Sequence, residues 1–467
     1  MMKVLCLAVR YGLFLTLICF NSVLIFADHE TPMSTVPTPN PNQPPPRSEP
    51  NNAPPAILAP VVGPNVRCND RVTCSDGRGI TQSETAVAIS GNVVLCSYND
   101  FRALYCPSQS PGYQWVGWSY SVDGGETFSD GGPLPGRTLH RGDPWAATGA
   151  DGAIFLSGIW NDLRGLAVTR GTPTEKGIEW AQPTVIDSPP GTFDKEAITV
   201  DPNTGDIYLS YTRLGVGIWL HRSTDGGQSF LPHTVVTTGG VQGSCPAAGP
   251  NGEVYVAWNI GWPGQTGIGF AKSADQGATF GPSRTIGQIC NFPIPGLDRP
   301  NPAFPQITVD NTGGPNTGNI YVVWHTACPR GNGDVVMIRS TDGGETWSNP
   351  LVINDDATTA IQFYPTISID DLGRVNVFFY DRREDPGTVM TNLFFAQSTD
   401  GAMSFNPNIK VTSVTSRWGV GEGSPNFGDY INSTSVGTKA CVAWTDSRDG
   451  DPDAYFTCVD VPDEPPV

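Results

Sequence analysis

The sequence predicts an all-β fold, a seven-bladed β-propeller closed by an N-terminal strand, and three observations predict it. A short stretch of the form Ser-x-Asp-x-Gly-x-x-Phe/Trp, or close to it, recurs five times, around Asp123, Asp225, Asp275, Asp342 and Asp400. Seven alternating apolar runs begin near a Pro or an acidic residue. Each is followed, across a Gly-, Asn- or Asp-rich turn, by a run that ends on aromatics. Finally, a strand-like segment, Pro64 to Asp70, precedes the first unit, whereas the seventh unit stops after its third strand at Cys458. A closed ring explains both ends, because the leading segment completes the last blade and removes the open edges. A six-bladed ring is the alternative.

The elements follow in order. Residues 1–27 place Lys3 and Arg10 ahead of an apolar run from Tyr11 to Ala27 and read as a secretion signal, with an N-terminal membrane anchor as the alternative. In residues 28–63, proline recurs among Asn, Thr, Ser and Gln, a composition that favours an extended linker over a packed core. Residues 64–467 are the expected propeller. The first strands start at Glu84, Asp143, Glu196, Cys245, Pro305, Tyr364 and Tyr430, and the second strands run from Asn92–Tyr98 to Lys439–Trp444. Between third and fourth strands lie the repeated stretches. Their Asp accepts backbone N–H bonds across a turn, their Gly supplies positive φ, and their aromatic pins the turn onto a neighbouring sheet. The second unit, Thr169-Arg170-Gly171 through Trp180, keeps the aromatic and loses the Asp.

With 45 acidic against 27 basic residues, the formal charge of −18 argues against nucleic acid as a partner. No membrane span is expected after signal cleavage. Cys6 and Cys19 fall in the signal, which leaves nine cysteines without zinc-site spacing; in an exported chain these favour disulfides, with one left over. The expected pairs are Cys96 with Cys106, Cys441 with Cys458, and Cys290 with Cys328.

The five turn stretches resemble the Asp-box (BNR) repeats of sialidase-like β-propellers. The resemblance covers nearly all of Asn65 to Val459 and implies that the five Asp residues are structural, on the face away from an active site. It also implies an extracellular glycan or glycoprotein as partner and a secreted or cell-surface location. The activity it implies is that of a glycoside hydrolase; a lyase, a non-catalytic binding platform and a surface-assembly protein are the alternatives. Sialidases use a Tyr nucleophile paired with a Glu, and Tyr364 and Tyr430 start first strands late in the chain as that Tyr would. The Arg-Ile-Pro motif of sialidases is absent: the corresponding stretch is Gln82-Ser83-Glu84.

Chemistry is expected on the face opposite the turns, where the start of each first strand and the loop between second and third strands meet. The carboxylates Glu84, Asp143 and Glu196, with Asp194, are candidate general acids or bases there, or strand-end caps. Arg102, Arg164, Arg382 and Arg448 recur in Asp–Arg loops. They suit a carboxylate or sulfate on a ligand, or else tie their own loops to the neighbouring Asp. Asp446, Asp449, Asp451 and Asp453 offer oxygen ligands for a structural calcium ion, or form a solvated acidic turn. No other cofactor is expected.

Overall fold

A computed structural model describes residues 60–71, 80–102, 106, 115–136, 140–160, 165–186, 192–297, 301–328, 330–419 and 427–461. The expected signal, nearly all of the linker, and Arg164 lie outside them. The described elements are all β-strands, arranged as seven antiparallel sheets in chain order. The protein is a seven-bladed β-propeller. Blade 3 shows the plan: Phe193–Val200, Ile207–Arg213, Gly217–Ser223 and Thr234–Thr238 pair in sequence. Neighbouring blades stack their faces through buried clusters, such as Tyr208, Leu220, Val256 and Trp258 between blades 3 and 4. Among the described residues no helix is long and apolar enough to cross a membrane.

Blade 7 contributes Asn432–Val436, Lys439–Asp446 and Asp453–Asp460, and its outer strand comes from the other end of the chain. Val66 and Arg67 pair with Phe456 and Tyr455, and Val61 and Val62 with Asp460 and Val459. The closing ladder therefore begins at Val61, upstream of Pro64. Side chains reinforce it: Asn69 donates to Asp453 at 2.8 Å and Arg67 to Asp449 at 3.2 Å.

All five Asp turns share the bonds from the preceding Ser hydroxyl and from the Thr or Ser four residues on, and three of them add a bond from the amide between. In the blade 5 turn, Asp342 Oδ1 accepts from the Ser340 hydroxyl, the Glu345 amide and the Thr346 amide, and Oδ2 accepts from the Thr346 hydroxyl at 2.5 Å. Ser340 Oγ in turn accepts from the amide of Gly344. Each turn leans on the preceding blade. Phe128 lies 5.4 Å from Phe456 of blade 7, and Trp347 lies 5.1 Å from Phe270 of blade 4. Gly125 has φ +95° and a Cβ there would sit 2.2 Å from Phe456, so only glycine allows the approach. In blade 2 a hairpin replaces the Asp turn, with Gly177–Trp180 pairing back on the third strand, and Trp180 packs 5.3 Å from Trp118 of blade 1.

These hydrogen bonds hold the five turn carboxylates down to about 2. At Asp342 the Thr346 hydroxyl and amide contribute most; at Asp123 and Asp400 slight burial opposes the shift. A depressed carboxylate stabilises the fold above its unfolded value, about 4, and loses that contribution as pH falls through the folded value. The turns are therefore expected to weaken together between about pH 4 and pH 2. Asp342→Ala should lower the melting temperature by ~2–4 °C near neutral pH, and the deficit should shrink toward pH 2. A deficit that stays constant over that range in calorimetry would argue against the scheme.

Two of the expected disulfides are present. Cys441 and Cys458 face each other on adjacent strands, Cα atoms 4.0 Å apart, and Cys290 joins Cys328 across 5.4 Å. The expectation of Cys96 with Cys106 is corrected. Cys96 sits mid-strand in blade 1 as a buried free thiol, facing Cys68 and the sheet of blade 7. Cys106, which is disulfide-bonded elsewhere, packs beyond the strand end with Ile80 and Phe101. Closeness in sequence did not bring the two onto one face.

Candidate functional site

The first strands start with an irregularity that aims side chains at the ring axis. In blades 1, 3, 4 and 6 the register slips by one residue, between Ser83 and Ala86, Asp194 and Ala197, Gln242 and Cys245, and Phe363 and Thr366. The residue inside the slip has positive φ: Glu84 at 52°, Lys195 at 50°, Gly243 at 66° and Tyr364 at 48°; Asp143 in blade 2 shares it at 52°. Non-glycine residues adopt this conformation at a cost of about 1–3 kcal/mol, and such strain gathers at functional sites.

At the axis these positions build a charged cluster around one ammonium. Lys195 Nζ lies 3.2 Å from Glu84 Oε1, 2.8 Å from Asp143 Oδ2 and 3.0 Å from Asp429 Oδ2, uniting blades 3, 1, 2 and 7. Although burial disfavours its charge, the three carboxylates hold Lys195 well above its ordinary value. Burial is the largest single influence on Asp143 and pushes it up, but the charge of Lys195 together with hydrogen bonds from Lys195, Glu84 and Asp194 outweighs it and holds Asp143 far below the carboxylate range. Burial, with Asp143 alongside, pushes Glu84 well up. Asp194 is half-buried, accepts from Gln242 Nε2 at 2.5 Å, and is pushed up to about 7 by burial, with Lys195 opposing and Asp143 adding. The cluster thus holds an ionised carboxylate against a carboxyl that titrates near neutrality.

A cleft opens beside it, lined by Glu84, Asp143, Asp194 and Lys195 and by the loop residues Phe101, Trp115 and Arg141. Trp115 is half-buried, 6.4 Å from Phe101 and 5.8 Å from the Arg141 guanidinium. The cleft therefore joins an aromatic wall to titratable carboxyls on the face opposite the Asp turns.

The other expected site residues lie as follows. Glu196 faces an axial cavity rather than the cleft. Tyr430 donates to the Pro144 carbonyl at 3.1 Å and packs on Trp145, so its hydroxyl is committed. Tyr364 is buried in an aromatic stack with Phe363, Tyr380 and Trp418. Arg102 is bound to Asp100 and Asp130, and Arg448 to Asp446, so both tie their own loops. Arg382 donates to Thr391 Oγ1 and to the carbonyls of Thr388 and Pro295, and it stacks over Phe363 and Trp418. No carboxylate pairs with it among the described residues.

Of the expected calcium ligands, Asp446 binds Arg448 and the Trp444 indole, Asp449 binds Arg67 and Tyr455, Asp451 accepts from the Ile80 amide, and Asp453 binds Asn69. Asp449 and Asp453 thereby stitch the N-terminal strand to blade 7. No group of three or more metal-ligating side chains is found among the described residues.

Sequence reasoning missed Lys195 and Asp429. The only signal for Lys195 was a lone cation between Asp194 and Glu196 at the start of a first strand.

No protein-family model and no curated protein matches this chain. Among solved structures it is similar to an ulvan lyase of a new polysaccharide lyase family, at 10% identity over 86% of this chain and 96% of that one, TM-score 0.49. An α-L-arabinanase from Penicillium chrysogenum is similar at 11% identity over 86% of this chain and 99% of that one, TM-score 0.46. A Hadza microbial sialidase is similar at 16% identity over 69% and 66%, TM-score 0.44. Likeness at this distance says nothing of chemistry.

Proposed function

We propose that the protein is a secreted glycoside hydrolase that works on an extracellular glycan in the cleft beside Lys195. One observation carries the reading: a carboxyl that titrates near 7, Asp194, stands at the cleft against a carboxylate, Asp143, kept ionised by a buried ammonium. Pairs of acidic groups whose environments drive them apart divide naturally into acid and charge stabiliser. Asp194 in its acid form donates its proton to the glycosidic oxygen as the bond to the anomeric carbon breaks. Ionised Asp143 stabilises the positive charge that develops on the sugar ring. Water then adds to the anomeric carbon and returns its proton to Asp194. Trp115 and Phe101 offer stacking faces for sugar rings.

The charges favour a neutral glycan over an acidic one, since the cleft is rich in carboxyls and both Arg102 and Arg448 are already bound by Asp residues. Those tied arginines also favour the second reading, a non-catalytic recognition platform. Two disulfides are consistent with an oxidising, extracellular setting.

A glycan array with product detection separates the two readings. Turnover is expected to fall as pH rises through about 7, where Asp194 loses its proton. Asp194→Asn should cut turnover by ~10²–10⁴-fold while glycan binding persists. Binding with no product from the parent protein would favour the platform, and unchanged cleavage by Asp194→Asn would remove Asp194 from the chemistry.

A further inference from the structure

The axial cavity next to the cluster contains a buried carboxyl group with nothing to bind. Glu196 is 2% exposed, and neither of its oxygens has a hydrogen-bond partner in another residue; only its own backbone amide acts on the carboxyl. Leaving such a group unpaired is costly. Four of the neighbouring donor groups are already used. Lys195 has three N–H bonds and three carboxylates. Ser244 gives its proton to Ser210 at 2.9 Å, Gln306 donates to the Ile431 carbonyl, and Tyr430 donates to Pro144.

What the wall does present is π faces. Trp145, Phe304, Tyr364 and Tyr430 line the cavity with Glu196 and Ser244. Trp145 and Tyr430 lie 5.3 Å apart, and the ring of Tyr430 already has one ammonium, that of Lys195, at 5.6 Å. Aromatic faces beside a carboxylate select a cation that is weakly hydrated and rich in N–H donors. A hard metal ion needs six or more oxygen ligands, which this wall does not supply. The cavity volume is about 20 Å³, room for one small group and far less than a sugar ring requires.

We infer that this cavity is a binding site for a small ammonium group, ammonium itself or a primary alkylammonium head, held by Glu196 and the aromatic wall. Burial holds Glu196 well above its ordinary value, followed by the effect of Asp143. An ammonium set against it supplies the missing donors and the counter-charge, and so stabilises the carboxylate. The inference does not depend on the cleft being catalytic, because Glu196 takes no part in the proposed reaction.

The test titrates the full-length protein with methylammonium chloride, with sodium chloride at equal ionic strength as control, and follows tryptophan fluorescence and melting temperature. A saturable response at concentrations on the order of millimolar is expected, absent with sodium. Glu196→Gln keeps the shape and brings its own N–H donors, so it should fold and bind at least tenfold more weakly. Tetramethylammonium, which is too bulky and has no N–H, should give no response in the parent protein, a result that needs no variant. A response equal for sodium or tetramethylammonium, or unchanged in Glu196→Gln, overturns the site, as does no saturable response at all. That last outcome would mean that ordered water alone satisfies Glu196.

Discussion

Lys195→Met is expected to destabilise the propeller by about 3–5 kcal/mol at neutral pH, the usual loss when one partner of a buried ionic group is removed. The cause is not a lost contact alone. Glu84, Asp143 and Asp429 converge on the ammonium from three blades, and without it they would face one another in a buried space. Asp143 would lose the ammonium that holds it down, and Glu84, already pushed up by burial, would rise further, so both would cost stability at high pH and regain it as protons return. The deficit in urea unfolding should therefore be larger at pH 8 than at pH 5. An equal deficit at the two pH values would mean that the lysine acts by packing rather than by charge.

Deleting the chain through Asp70 is expected to abolish cooperative unfolding, whereas a chain that starts at Pro60 should keep it. The longer deletion removes the ladder of Val61–Val62 and Val66–Arg67 on blade 7 and exposes Asp453–Asp460 as a bare edge. It also strands Asp453, whose partner Asn69 opposes the burial that pushes this carboxyl up to about 7. Thermal melts of the two truncations decide the matter. Equal melting would show that the ring holds without its N-terminal strand.

The architecture was legible because five of the seven units repeat one turn, and the turn's Asp, Gly and aromatic each have one local job. The disulfide Cys441–Cys458 was legible for the same reason, as the two residues fall opposite each other in a regular ladder. The site was legible only in part. Glu84 and Asp143 were found because an acidic residue recurs at the start of first strands, on the face where chemistry was expected. Lys195 was not, because a one-residue slip decides whether residue 194, 195 or 196 faces the axis, and that slip is a backbone conformation with no side-chain pattern. Asp429 lies ahead of its strand, in a loop whose course depends on tertiary packing. The arginines misled because guanidinium groups that recur beside Asp residues look the same in sequence whether they are bound or waiting; only the geometry shows Arg102 and Arg448 engaged.

The N-terminal strand also dictates when the ring can form. Asn69 receives its hydrogen bond from the Ala454 amide 385 residues later, so blades 1 to 6 are made before the partner of the first strand exists. Contacts of such separation are slow to close, and unpaired edges meanwhile invite association with other chains. During synthesis the protein is therefore a growing stack of blades with a free strand at its head, and it becomes a ring only with its last strands. Its vulnerable period is the wait for closure, and its yield on expression should respond more to whatever shields that waiting strand than to changes in the finished core.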